Sequence, residues 1–298
     1  MDLIALAARG LERPLEEEVG SRILEKRERL YMLKGREVPL WAANVWLKPQ
    51  VFQFKSIGEA SKHLRAIQRN WWLHSLTAHR RGKLIVESLP PLKPKPLAFL
   101  ASSPKMPLGS FTLFDENILV YSAECTSLFP DGEVEFVENK TEPPSRAYLK
   151  LWELFSLTGH WPRTGETTID LGSSPGGWTW ALDQLGARVT SVDKAPLTVN
   201  ISERVEYIAE SAFALAPRKV DWLFSDIICY PERLFELVER WRPFVKNFVC
   251  TLKFQGPTNF AVIEEFLRIP GSEIRHLYNN KHELTWTLFT NDQKHSGN

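Results

Sequence analysis

Downstream of residue 145 the chain switches repeatedly between two hydrophobic periods. Short β-branched or apolar runs at 167–170, 188–193, 205–209, 220–226, 247–254, 274–278 and 284–290 have the length and composition of strands. Between them, 145–156, 177–185, 231–241 and 259–268 carry apolar positions at helical spacing. This alternation predicts an α/β fold: a Rossmann-like, mostly parallel seven-stranded sheet with helices on both faces. Ligands of such sheets sit at the carboxyl ends of the strands. Asp170, Asp193, Asp226 and Lys253 all fall at predicted strand ends.

The first half reads differently. Strands are predicted over 3–8, 31–33 and 45–54, with a charged helical stretch near 14–26. The clearest helix is predicted over 58–81, where Ala60, Leu64, Ile67 and Trp71 keep the helical period. Lys62, Arg65 and Arg69 would share another of its faces, extended by Trp71-Trp72 and Arg80-Arg81. Six prolines between 90 and 107 enforce extended chain. Further strands are predicted at 111–113 and 118–122, and Glu142-Pro143-Pro144 marks a boundary. The expectation is a smaller α+β region over 1–142 and the sheet domain over 143–298.

The first predicted strand of that domain runs into a turn, DLGSSPGGWT, from Asp170 to Thr179. Strand, glycine turn, helix is how an open α/β sheet makes a nucleotide pocket. Pro175 suits the first turn of a helix, and Ser174 before it is a candidate cap. A dinucleotide fingerprint would space its glycines G-x-G-x-x-G against a pyrophosphate. Here Gly172, Gly176 and Gly177 read G-x-x-x-G-G, and no basic residue serves a phosphate. The pattern suits S-adenosylmethionine, which has a sulfonium, a carboxylate and a ribose but no phosphate. Asp193 lies about 20 residues beyond the turn, where such folds place a ribose-binding carboxylate. An ordinary glycine turn with an incidental downstream Asp is the alternative.

Charge and cysteine content refine the picture. The 298 residues carry a formal net charge of +1, but its distribution is uneven. Eleven Lys or Arg lie between Lys48 and Lys105 against Glu59 and Glu87 alone, whereas 115–142 holds eight acidic residues against Lys140. A basic surface interleaved with aromatics suits phosphates and unpaired bases, with a merely solvated face as the alternative. Cys125, Cys229 and Cys250 are too dispersed for a zinc pattern or a disulfide framework. No metal is expected. No apolar segment approaches the ~20 residues that span a bilayer, so a cytoplasmic protein without membrane association is expected.

Methyl transfer is an in-line displacement that asks the protein to align a nucleophile and assist its deprotonation. The strand end at Phe224-Ser225-Asp226-Ile227 lacks the Asn-Pro-Pro-Tyr type signature for methylating a base amine, and no Cys occupies a strand end. Asp226, Lys253, Lys150 and Glu283 remain as candidate groups. Each alone has an ordinary explanation as a surface or strand-end charge, and spacing does not bring them together.

The segments PSRAYLKL, DLGSSPGGWT, SDI, TLKF and HEL occur in that order between Pro144 and Leu284. Together they resemble the FtsJ-like 2′-O-ribose methyltransferases of RNA. PSRAYLKLWELF and PGGWT are most similar to the RlmM-like branch, which acts on a cytidine of large-subunit (23S) ribosomal RNA. The resemblance implies a Lys-Asp-Lys-Glu tetrad at Lys150, Asp226, Lys253 and Glu283. Lys253 would activate the ribose 2′-hydroxyl, Asp226 and Lys150 would orient it, and Glu283 would support the acceptor ribose.

It further implies S-adenosylmethionine bound by Asp170, Gly172, Ser174, Pro175, Gly176, Gly177, Trp178, Asp193 and Asp226. Glu210 and Ser211 would meet the adenine edge, where the family usually has an acidic residue near position 211. RNA is the implied partner, met by Arg146 and by Lys62, Arg65, Arg69, Arg80 and Arg81. The branch carries a THUMP module in its N-terminal region; residues before Pro144 would be a degenerate, THUMP-like version. The enzyme is expected to act as a monomer. Two other readings stay open at this point: a non-catalytic RNA-binding or ribosome-assembly protein on the same scaffold, and a methyltransferase of tRNA or capped mRNA.

Overall fold

The computed structural model describes residues 1–290; the predicted sheet domain's last residues, 291–298, lie outside them. The chain forms two compact units, Met1–Leu97 with Ser103–Glu135, and Ala98–Ser102 with the residues from Phe136 onward.

The first unit is α+β. Its elements are β1 (Leu3–Ala7), α1 (Glu12–Val19), β2 (Ile23–Arg27), β3 (Leu30–Leu33), β4 (Ala42–Trp46), β5 (Gln50–Gln53), α2 (Ile57–Ile67), β6 (Trp71–Leu73), α3 (His79–Glu87), β7 (Gly109–Asp115) and β8 (Ile118–Ser122). They make two four-stranded sheets, ordered β2-β3-β1-β4 and β5-β8-β7-β6.

The first unit departs from three expectations. The predicted helical stretch 14–26 ends at Val19 and continues as strand β2, which pairs with β3. The predicted strand 45–54 is two strands belonging to different sheets, separated at Leu47–Pro49. The predicted helix 58–81 stops at Ile67. Trp71 then turns back so that its indole Nε1 donates to the carbonyls of Leu64 and Gln68, at 3.0 and 3.1 Å. Carbonyls at a helix end need such partners. Trp71 is buried in the core with Phe54, Leu64 and Phe111, and β6 pairs in parallel with β7. Lys62 and Arg65 therefore sit on α2, Arg69 after it, and Arg80 and Arg81 on α3, two helices that pack together.

The second unit contains α4 (Tyr148–Thr158), β9 (Thr167–Leu171), α5 (Gly177–Gln184), β10 (Arg188–Val192), β11 (Val205–Ile208), β12 (Val220–Ser225), α6 (Pro231–Trp241), β13 (Val245–Lys253), α7 (Phe260–Leu267), β14 (Ser272–Arg275) and β15 (Glu283–Leu288). The sheet runs β11-β10-β9-β12-β13-β15-β14. Pairs from β11 to β13 are parallel, while β15 is antiparallel to both neighbours. This is the mostly parallel, seven-stranded Rossmann-like sheet that the hydrophobic alternation predicts. The chain builds outward from β9 in one direction through α5 and then in the other through α6. Right-handed crossovers in opposite directions place those helices on opposite faces. The order reverses between β9 and β12, and a ligand crevice forms at such a point.

Large aromatic side chains fill the space around the sheet. Trp222, Phe224, Phe248, Phe155, Tyr148 and Trp286 are among the largest fully buried side chains. Trp178 and Phe155 both meet the ring of Phe224 edge-on. Each such side chain contributes on the order of 2–3 kcal/mol when buried.

Candidate active site

β9 delivers Asp170 to the switch point, and the glycine turn follows at once. Gly172 has φ +76°, and a Cβ there would lie 2.6 Å from Ile227 Cγ1. Gly176 has φ +116°, and its Cβ would lie 2.5 Å from Val199 Cγ1. Both positions exclude any side chain, so the backbone can pass close under a ligand. Helix α5 starts at Gly177 with Gly176 as its N-cap, and no side chain caps it. The expected cap at Ser174 is not formed: its backbone N–H donates to Asp193 Oδ2 at 3.1 Å, and its hydroxyl donates to Pro196 O. Pro175 lies before the helix rather than in its first turn. The helix predicted over 145–156 with Ser145 as its cap begins instead at Tyr148, with Ala147 as N-cap, and Ser145 Oγ accepts from the Ala147 N–H.

The turn lines a cavity of about 290 Å³ that includes Asp170, Ser174, Gly177, Trp178, Asp226 and Lys253. A second cavity of about 240 Å³ holds Glu210, Ser211, Phe213 and Arg233. The two share Gly172, Asp193 and Ile227, so they form one elongated cleft along the strand ends. Of the predicted cofactor residues, Asp170, Gly172, Ser174, Pro175, Gly177, Trp178, Asp193, Glu210, Ser211 and Asp226 line one or the other, whereas Gly176 lines neither. Ser145, Ala147, Ile227, Ile228, Phe213 and Arg233, to which the sequence assigns no cofactor contact, also line it. The Arg233 guanidinium stacks 3.7 Å from the Phe213 ring centre, a pairing only the fold reveals.

Two of the cleft's carboxylates, Asp170 and Asp193, lie against the glycine turn. Asp193 binds two turn N–H groups, of Ser174 and Ala195, which fixes its orientation. Asp170 is fully buried: Oδ2 accepts from the Thr179 hydroxyl at 2.7 Å, while Oδ1 has no hydrogen-bond partner. Burial, partly offset by the Thr179 bond, pushes its carboxyl up to about 7. A buried carboxylate oxygen without a partner is costly unless a donor or a cation meets it. An amino group of a bound ligand fits that position.

Lys150, Asp226, Lys253 and Glu283 come together beside this cleft. Lys150 reaches in from α4 and donates to Asp226 Oδ1 and Oδ2, at 3.2 and 3.3 Å, and pairs with Glu283. Asp226 follows β12. Lys253 ends β13 and lies directly across from Glu283, the first residue of β15. Lys253 Nζ is 3.0 Å from Asp226 Oδ1 and 2.5 Å from its backbone carbonyl oxygen. All four side chains are at most 19 % exposed. Burial disfavours the charge on Lys150, but the carboxylates of Asp226 and Glu283 outweigh it and hold the ammonium above its ordinary range. The cluster thus contains one ammonium gripped by two carboxylates and a second lysine with a single carboxylate partner. Cys229, three residues after Asp226, is held neutral because burial pushes its thiol up to about 11. The Cys229 thiol is therefore not a thiolate nucleophile at neutral pH.

The remaining predicted positions are at the surface. Arg146 is exposed beside the N-terminus of α4 and pairs with Glu138 at 2.9 Å. Lys62, Arg65, Arg69 and Arg80 are exposed; Arg81 is half-buried, bonding Asn117 and stacking on Phe54. Among the described residues no helix is long and apolar enough to cross a membrane.

Residues 143–250 match the model of the FtsJ-like methyltransferase family. Over 203 residues the chain is 37% identical to the ribosomal RNA large subunit methyltransferase M of Saccharophagus degradans, covering 58% of this chain and 58% of that protein. Over 163 residues it is 41% identical to the protein of the same name from Azoarcus sp., covering 48% and 45%. The chain therefore spans about half the length of the curated relatives it matches. Among solved structures, the Methanococcus jannaschii fibrillarin pre-rRNA processing protein superposes with a TM-score of 0.35 at 18% identity, over 42% of this chain and 66% of that one.

Proposed function

We propose that this chain, FtsJ-like over residues 143–250, is an S-adenosylmethionine-dependent RNA methyltransferase that modifies a ribose 2′-hydroxyl, with a cytidine of large-subunit (23S) ribosomal RNA as the target. The observation that carries the reading is the convergence of Lys150, Asp226, Lys253 and Glu283 beside a glycine-floored cleft. The names of the matching relatives support ribosomal RNA as the substrate class.

S-adenosylmethionine, when bound, supplies a methyl group on a good leaving group. The protein's own residues then bind, align and move a proton. The Asp170 oxygen left unpartnered in the cleft accepts from the amino group, Asp193 takes the ribose hydroxyls, and Glu210 with Ser211 meets the adenine edge. The acceptor 2′-hydroxyl lies against Lys253. Lys253 Nζ takes its proton as the oxygen receives the methyl group. Lys150 stays an ammonium between Asp226 and Glu283. Its fixed positive charge stabilises negative charge developing on the acceptor oxygen. Arg146 and the basic residues of the first unit contact RNA phosphates.

Lys253→Ala and Lys253→Arg test the assignment together. Arg keeps the charge but never deprotonates in a protein. Both variants should bind S-adenosylmethionine within about threefold of wild type and lose about 10²–10⁴-fold in transfer rate, the usual worth of a general base. A Lys253→Arg protein with wild-type turnover would remove Lys253 as the base.

A further inference from the structure

Helix α4 grips the far end of the tetrad twice. Lys150 pairs with Glu283 directly. One turn later, Glu153 is buried at 2 % exposure and spends both carboxylate oxygens on the loop that leads into Glu283. The Tyr278 N–H donates to Oε1 at 2.6 Å, while the Asn279 N–H and its side-chain amide donate to Oε2 at 3.0 and 2.9 Å. Residues at i and i+3 share a helix face, so the two contacts act side by side.

The loop beyond Asn279 is tied down as well. Asn280 Nδ2 donates to Thr285 Oγ1 at 3.0 Å, the Lys281 N–H approaches Glu283 Oε1 at 3.4 Å, and the Phe254 N–H donates to the His282 carbonyl. Glu153 and Lys150 are the charged residues of an otherwise apolar helix, YLKLWELFSLT. A buried carboxylate in such a helix costs free energy that its three N–H partners offset.

We infer that Glu153 is a positioning residue: by clamping the 278–279 backbone to α4 it sets the place of Glu283, and through Glu283 that of Lys150. This rests on the reading of the four-residue cluster as catalytic. Without the clamp two backbone N–H groups lose their acceptor and the loop loosens while the cleft floor, built on β9 and α5, is untouched. A displacement of about 1 Å in a reacting group is worth on the order of 10²-fold in rate.

The test compares the full chain with Glu153→Gln and Glu153→Asp. Three quantities are measured: amide hydrogen exchange, S-adenosylmethionine affinity, and single-turnover methyl transfer to ribosomal RNA. The Gln amide presents donors to donors and keeps a single acceptor oxygen. Exchange across 278–283 should accelerate about tenfold or more, with 167–184 unchanged and cofactor affinity within about threefold. Transfer per cofactor-binding molecule should fall about 10–100-fold. Glu153→Asp, which keeps the carboxylate, should recover part of that loss.

Unchanged exchange at 278–283 would overturn the inference. So would a transfer loss that merely tracks the fraction of protein able to bind cofactor, since that is a fold defect. Asn279→Ala removes only the side-chain donor and guards against a Glu153 variant that does not fold; the same exchange change, smaller, is expected, and none would count against the clamp. If the wild-type chain methylates no RNA, the proposed function fails while the exchange pattern still decides the clamp.

Discussion

Asp170 is the residue whose electrostatics are most exposed to test. Its carboxyl titrates near 7 in the folded protein, against an ordinary value of 3.8. A raised folded value means that its contribution to stability is complete below pH ~4 and is lost as pH rises through ~7. Asp170→Asn keeps an acceptor for the Thr179 hydroxyl and removes the titration. Cofactor-free melting curves should therefore show the variant gaining on wild type by a few degrees between pH 5 and 8. A melting difference that does not vary with pH would mean that the site is better solvated than its burial indicates. The same residue was legible as a strand-end carboxylate, but not as an orphaned one: partner geometry is invisible to spacing. Glu153 shows the converse. A charge set among Leu151, Trp152, Leu154 and Phe155 was itself a signal that it is buried and paired, and hydrophobic period alone passes over it.

Among the elements, the turn between β9 and α5 constrains sequence hardest. Gly172→Ala would force an L-residue into the left-handed region, at about 1–2 kcal/mol, and drive its Cβ into Ile227. The expected result is a lower melting temperature and at least a tenfold loss of S-adenosylmethionine affinity, read by calorimetry; wild-type affinity would show that the turn is not the cofactor floor. Strands of the sheet were legible to within a few residues because buried parallel strands read as continuous apolar runs. The helix predicted over 58–81 was misread for a definite reason. Ala60, Leu64, Ile67 and Trp71 keep the helical period although the helix ends at Ile67. Trp71 completes the helix's hydrogen bonding with its side chain, not its backbone. Its strand partner, Gly109, is distant in sequence. The convergence of the tetrad was similarly out of reach. It depends on the β13–β15 register that sets Lys253 opposite Glu283, and on the seating of α4.

On the scale of the whole molecule, the proposed division of labour assigns RNA contact to the basic helices of the first unit and catalysis to the second. Lys62, Arg65, Arg69 and Arg80 are exposed on or beside α2 and α3, as a phosphate-contacting surface requires. RNA affinity should fall steeply with salt, and each phosphate contact removed should flatten the log–log slope by roughly 0.7. Replacing all four with Gln should thus reduce the slope by about 3 while leaving cofactor affinity unchanged; an unaltered slope would relocate the RNA surface. The central claim is methyl transfer to a ribose oxygen by the Lys150–Asp226–Lys253–Glu283 cluster. Its most direct measurement incubates the chain and S-adenosylmethionine with large-subunit ribosomal RNA from cells lacking the protein, then maps positions that become resistant to alkaline cleavage. One new resistant position at a cytidine, made by the wild type and not by Lys253→Ala, is the predicted result. A methyl group incorporated without alkaline resistance, or a site equally modified by the variant, would contradict it.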